Sequence, residues 1–125
     1  ISFEGDSGPY VQYTARRAKA VLEKSSKKNF KIKQEEYNLA DAAVTLQKKL
    51  LHWDECILKA VEDNSPHHLV TYALSLAGDF NSFYANTKII SDEKESEYYL
   101  TLTEATLAVL TKILSLLAIE VPEEM

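Results

Sequence analysis

The chain has little of what makes tight turns or cross-links. Three glycines and three prolines among 125 residues are too few for the many sharp turns of an all-β fold. A single cysteine, Cys56, excludes an internal disulfide and points to a reducing compartment. No uninterrupted run of about 18 apolar residues occurs, so the sequence predicts no membrane span. The N-terminus lacks a charged segment followed by an apolar one, so no secretory signal is expected. These absences together predict a cytoplasmic protein. Nor is there an excess of positive charge. Fourteen Lys and Arg against nineteen Asp and Glu leave a net charge of −5, the wrong sign for a general nucleic-acid binder.

What is present is ordinary globular material: 46% apolar and 26% charged residues, which argues against disorder. The length suits one domain over 1–125, able to bury roughly two thirds of its unfolded surface. The first residue is Ile1, not Met, which predicts a piece of a longer protein or a trimmed chain.

The apolar pattern is helical almost throughout and predicts an all-α bundle of about five helices. Residues 1–7 read as an irregular lead-in. Ser7 is a candidate cap, followed by Pro9 in the first turn, where a missing N–H costs nothing. The first helix runs to about Lys24, with Val11, Ala15, Ala18 and Leu22 on one face. Residues 25–35 form a polar, lysine-rich loop in which Phe30 and Ile32 alternate with lysines, so a short extended piece could form. A second helix is expected from near Glu36, with Leu39, Ala43, Leu46 and Leu50 inward. A break near His52–Trp53 leads to a third helix over about Asp54 to Asp63. Asn64-Ser65-Pro66 stops it and starts a fourth helix, lined by Leu69, Ala73, Leu76, Phe80 and Phe83. Ser91-Asp92-Glu93 opens a long fifth helix through Tyr99, Leu102, Thr106, Val109, Ile113 and Leu116. Pro122 forbids its continuation.

The first helix carries a second face. At about 100° per residue, Tyr10, Tyr13 and Arg17 share an arc roughly 135° from the core face. Such a face fits a solvated or helix-packed surface. It equally fits a platform on which rings stack on splayed bases and a guanidinium pairs with phosphate. The charge map bears on the choice. Residues 16–33 hold eight cations (Arg16, Arg17, Lys19, Lys24, Lys27, Lys28, Lys31, Lys33) against Glu23, a net +7 that leaves −12 for the other 107 residues. That asymmetry marks a local electrostatic footprint.

At these residues a resemblance emerges. Gly8-Pro9-Tyr10-Val11-Gln12-Tyr13, with Arg17 four residues on, resembles the entry into the C-terminal anticodon-binding (DALR-type) domain of arginyl-tRNA synthetases. Ser65-Pro66-His67-His68-Leu69 is similar to that family's P-H-x-L helix start. Phe80-Asn81-Ser82-Phe83-Tyr84 is similar to its F-N-x-F-Y segment, and Leu116 to Met125 to its terminal L-L-G-I-x-x-P-x-R-M. The four matches occur in register and cover nearly the whole chain. The resemblance implies an all-helical domain that grips the anticodon stem-loop of arginine tRNA. It would follow its own catalytic domain in one longer, monomeric chain. ATP and Mg would serve the whole ligase, with no cofactor, metal or catalytic residue in this fragment. The implied RNA-binding residues are Tyr10, Tyr13, Arg16, Arg17, Lys24, Lys27, Lys28, Lys88 and Met125. Met125 would be the enzyme's natural end, near the loop bases.

Some positions depart from the family pattern. Lys88 stands where many bacterial members have Arg, which keeps charge and loses bidentate geometry. Ala15 stands where His is frequent, Arg16 where a small residue is usual, Ala118 in place of Gly and Glu124 in place of Arg. A second function class, a helical protein-interaction module derived from the same domain, draws on the −12 remainder and Glu124. The related domain of a cysteinyl enzyme is disfavoured by the P-Y-V-Q-Y segment.

Other groups read as structural. Lys24-Ser25-Ser26-Lys27 faintly resembles an ATP-binding K-M-S-K-S loop, but no H-I-G-H partner accompanies it. His52, His67 and His68 lack metal-ligand spacing, Cys56 lacks a C-x-x-C partner, and three scattered glycines make no phosphate loop. Cys56 is expected in the core as a small apolar residue, Trp53 in core packing, and His67 and His68 against backbone or solvent.

Overall fold

The computed structural model describes residues 7–26 and 31–120. Among them are five helices and no strand: α1 (Ser7–Lys24), α2 (Asp41–Leu51), α3 (Trp53–Glu62), α4 (His67–Asn86) and α5 (Glu95–Glu120). The all-α expectation therefore holds. Helix α1 packs against α4 and α5, and α2 and α3 pack against the other side of α4. The core is built where apolar residues recur every three or four positions. Val11 and Ala18 of α1, Ala43 and Leu46 of α2, and Ala73, Leu76, Phe80 and Phe83 of α4 are fully buried. Burying a side chain of Leu or Phe size contributes about 1.5–3 kcal/mol.

The helix ends follow local chemistry. Asn64 adopts a left-handed φ of 48° after α3. Its N–H donates to the Val61 carbonyl and the Ser65 N–H reaches back to that of Ala60, a Schellman closure that satisfies two terminal carbonyls. The Ser65 hydroxyl accepts from the His67 N–H at 3.2 Å, and α4 starts at His67 with Pro66 in the cap position, so the Asn-Ser-Pro signal marks the boundary with Pro66 one step before the helix and not its first residue. Ser7 is the first residue of α1, one step inside the helix and not before it.

Two boundaries differ from the sequence expectation. Helix α2 begins at Asp41, not near Glu36, because α5 holds the preceding segment extended. The Asn38 N–H donates to Glu95 Oε2 at 2.9 Å, and the Ala40 N–H donates to the Tyr99 hydroxyl at 3.0 Å. The Tyr37 ring also packs on Tyr98, with centroids 5.0 Å apart. Tertiary partners here override a helix-compatible pattern. Helix α5 begins at Glu95, because residues 91–96 make a compact turn around Ser96. Its buried hydroxyl donates to the Ile89 carbonyl at 2.7 Å and accepts from the Ser91 N–H.

Glu95 also carries a pH dependence. The Asn38 N–H chiefly, with Glu95's own N–H and Lys94 adding to it, holds its carboxyl below the usual range, against a smaller opposing effect of burial. A depressed folded-state value contributes stability above the ordinary carboxylate range, lost as pH falls through the folded value. Glu95→Gln is therefore expected to destabilise the protein at pH 7 and to flatten its stability loss below about pH 4.5, as read from urea midpoints across pH. Wild type and variant with parallel profiles would refute the assignment.

By length and composition, Glu95–Ala118 of α5 is a stretch that could cross a membrane. In this fold it is a core helix. Leu100, Thr103, Thr106, Leu110, Ile113 and Leu117 are buried. The two threonine hydroxyls are satisfied by the Tyr99 and Leu102 carbonyls, as buried polar groups require. Ala118 lies within α5, which continues to Glu120.

Candidate nucleic-acid interface

The tyrosine and arginine side chains of α1 meet α4. Arg17 donates from one terminal nitrogen to Asn81 Oδ1 at 2.9 Å and from the other to the Tyr13 hydroxyl. Its guanidinium lies 4.8 Å from the Tyr13 ring centroid and 4.3 Å from that of Tyr84, within the range of cation–π attraction. Asn81 is the hub. Its amide nitrogen donates to the Tyr10 hydroxyl at 3.1 Å and to Thr14 Oγ1 at 3.0 Å. The opposite orientation would set its amino group against the Arg17 donors, so the contacts fix which end is oxygen. Thr14 is fully buried and donates to the Tyr10 carbonyl at 2.9 Å.

The result is a braced, half-open surface. Tyr13 is 48% exposed, Tyr84 40% and Tyr10 38%. Arg17 is half-buried and uses two of its five N–H donors on partners among the described residues, so three remain. A cation held between two rings, with donors free, can meet a phosphate or a base edge while the rings offer faces for stacking.

Tyr10 lies by Gly78 and Arg17 by Tyr84, so α1 and α4 run in the same direction. Lys88, just past α4, therefore stands at the end of the bundle where α1 finishes at Lys24. Both are exposed, as are Arg16, Lys19, Lys31 and Lys33. The ion pairs among the described residues use His52, His68 and Lys94 instead. These basic groups are therefore exposed and outside those ion pairs. Lys27, Lys28, Phe30, Glu124 and Met125 lie outside the described residues.

Sequence reasoning found the α1 half of this surface and missed the α4 half. Asn81 and Tyr84 sit in the F-N-x-F-Y segment, which was the available signal. Ala15 is buried in the core and contributes no contact to the surface. Gly78, exposed in the middle of α4, leaves room beside Tyr10: a Cβ there would lie 4.0 Å from the hydroxyl, an ordinary contact. Gly78→Ala is thus expected to stabilise the fold by about 0.5–1 kcal/mol through helix propensity, seen as a higher melting temperature. A lower one would show that Tyr10 needs the gap.

The remaining candidates resolve as packing. Cys56 is half-buried, its Sγ 3.4 Å from the His68 carbonyl oxygen, and burial pushes its thiol up. Trp53 packs at the core edge, its ring 5.7 Å from that of Tyr72. His68 pairs with the Asp63 carboxylate at 2.7 Å, a side-chain partner where backbone or solvent was expected. No metal-holding group of three His, Cys, Asp or Glu occurs among the described residues.

Comparison with known proteins bears on the family and the fold. Residues 11–125 match the family described as the DALR anticodon binding domain. The chain is 38% identical over 126 residues to an arginine–tRNA ligase of Lactobacillus acidophilus, covering 100% of this chain and 22% of that protein. It is 37% identical over 130 residues to that of Francisella tularensis subsp. novicida, covering 98% and 22%. Its fold matches the Thermus thermophilus arginyl-tRNA synthetase with a TM-score of 0.74 and 32% identity, over 99% of this chain and 22% of that one. The chain thus spans about a fifth of the length of these relatives. Its five-helix fold and its matched residues agree: this chain belongs to the DALR anticodon-binding-domain family.

Proposed function

We propose that this chain is the anticodon-recognition domain of an arginine–tRNA ligase and that the α1–α4 surface holds the anticodon stem-loop of arginine tRNA. The observation that carries the reading is the braced Arg17, set between Tyr13 and Tyr84 by Asn81, in a member of this family. Single-stranded loops offer unstacked bases, and aromatic faces take them at about 1–3 kcal/mol per base. Tyr13 stacks on a loop base, with Tyr10 beside it. Arg17 binds phosphate or a base edge. Arg16, Lys24, Lys27, Lys28 and Lys88 supply affinity that falls with salt, and Met125 lies near the loop bases.

The domain positions the RNA and does no chemistry. The whole ligase would activate arginine with ATP and Mg and transfer it to the tRNA, through a catalytic domain to which residues 1–7 lead. The described residues gather no carboxylate cluster for Mg and no glycine-rich phosphate turn, so they do not fit those cofactors. The whole enzyme would act as a cytoplasmic monomer away from membranes.

The test is arginine-tRNA binding by the wild type, Tyr13→Ala and Arg17→Ala. Each substitution is expected to weaken binding by at least about 1 kcal/mol. Unchanged affinity in both would sink the assignment of these residues.

A further inference from the structure

A second basic site lies on the other flank of α4. A cavity of about 390 Å³ opens between the end of α2, α3 and the start of α4, lined by Lys49, Lys59, His67, His68, Thr71 and Ser75 among others. Neither lysine is ion-paired among the described residues. Lys49 is half-buried, so part of its stem is held in place, while Lys59 is exposed. The floor is fixed by Tyr72, whose hydroxyl donates to the Lys49 carbonyl at 2.6 Å. His68 is already committed to Asp63. Burial first, and then Cys56 and Asp79, push the Tyr72 hydroxyl up, so the Asp79 carboxylate is the negative charge that acts on this floor. Two lysines, the His67 ring (set edge-on to His68) and two hydroxyls line one concave site, a set of donors suited to an anion with several oxygens.

The placement says which anion. Between this cavity and Asn81, α4 presents exposed Thr71 and Gly78 and half-buried Ser75, small side chains that let a rod lie close to the helix, with half-buried Asp79 beside them as the one carboxylate of that stretch. Thirteen residues separate Thr71 from Tyr84, about 20 Å of helix. We propose that the Lys49–Lys59–His67 cavity holds a backbone phosphate of the same tRNA, in its stem, while the Arg17 surface holds the loop. The inference rests on the anticodon-domain reading. It adds a phosphate contact on α2 and α3, outside the lysine-rich 16–33 segment. Phosphate contacts fix register and orientation without reading sequence. A rigid stem gripped at two points about 20 Å apart has its loop aimed at Tyr13.

The experiment measures binding of an arginine-tRNA transcript against salt for the wild type, Lys49→Ala/Lys59→Ala, Lys49→Arg/Lys59→Arg and Arg17→Ala. Helix content is checked by circular dichroism. The alanine pair is expected to reduce the slope of log affinity against log salt by about one, for the one phosphate that both lysines hold, and the arginine pair to restore it. An unchanged slope for the alanine pair overturns the inference, even with Arg17→Ala weakening binding and so leaving the anticodon reading intact. A wild type that fails to bind the transcript overturns both. Loss of binding to a polyglutamate probe with the tRNA slope unchanged would assign the cavity to a protein carboxylate partner and also overturn it.

Discussion

Phe80→Ala is expected to cost about 3–5 kcal/mol of folding stability. Phe80 is fully buried, and its ring lies 5.9 Å from Phe83 and 6.4 Å from Tyr84. It sits one residue before Asn81 and backs the very tyrosine that covers Arg17. Truncation removes the buried surface and leaves a cavity that helices packed from α1 to α5 cannot fully close. A domain of this kind has about 5–15 kcal/mol in total, so the variant should be marginal at room temperature. Its urea midpoint should fall steeply with the slope unchanged. Phe80→Leu should lose much less, because volume and apolarity are mostly kept. A loss below about 1 kcal/mol for the alanine variant would mean that the core does not close around this ring, against the range for a buried aromatic.

Asn81→Ala is expected to weaken arginine-tRNA binding about tenfold, or about 1.4 kcal/mol, although Asn81 need not touch the RNA. Its three hydrogen bonds hold Arg17, Tyr10 and Thr14 in one arrangement. Without them the guanidinium loses its anchor on α4 and must be ordered again on binding. The distinguishing feature is coupling. Because Asn81 acts through Arg17, the Arg17→Ala/Asn81→Ala double variant should bind little worse than Arg17→Ala alone. Losses that simply add would show that the two residues act independently and that the brace is incidental. Stability should fall by only about 1 kcal/mol for Asn81→Ala, so a folded variant remains available for binding.

Much of this architecture is legible in the sequence because it rests on local rules. The spacing of Val11, Ala15 and Ala18 locates the buried face of α1, and the same arithmetic puts Tyr10, Tyr13 and Arg17 on the other side. Asn64-Ser65-Pro66 reads correctly as a helix boundary because Asn tolerates the left-handed turn and the Ser65 hydroxyl accepts from the first N–H of the next helix. What escapes a sequence reading is set by partners far along the chain. Residues 36–40 could extend α2, yet Glu95 and Tyr99 take their N–H groups. Helix α5 buries Leu100, Thr103, Leu110 and Leu117 as well as Tyr99, Leu102, Thr106 and Ile113 of the predicted stripe, while Val109 and Leu116 of that stripe are half-buried, because the helix is covered on more than one side. Nothing in the order of residues announces that Asn81 would sit across from Arg17, since the pairing follows from the parallel packing of α1 on α4. Lys49 and Lys59 likewise become neighbours only through the α2–α3 turn.

Net charge is the clearest case of an average that hides its parts. A total of −5 argues against indiscriminate nucleic-acid binding. It leaves room for a domain that presents cations along one edge and keeps its acids elsewhere. Such a domain would repel most polyanions and bind one whose shape brings phosphates to that edge.

The central claim is that the α1–α4 surface reads the anticodon loop, and loop exchange tests it most directly. The affinity of the chain for an arginine-tRNA transcript should be compared with that for the same transcript whose anticodon loop is replaced by an unrelated loop, at fixed salt. A loss of at least about tenfold, or about 1.4 kcal/mol, is the expected result, and Arg17→Ala should abolish the difference. Equal affinity for the two transcripts would contradict it.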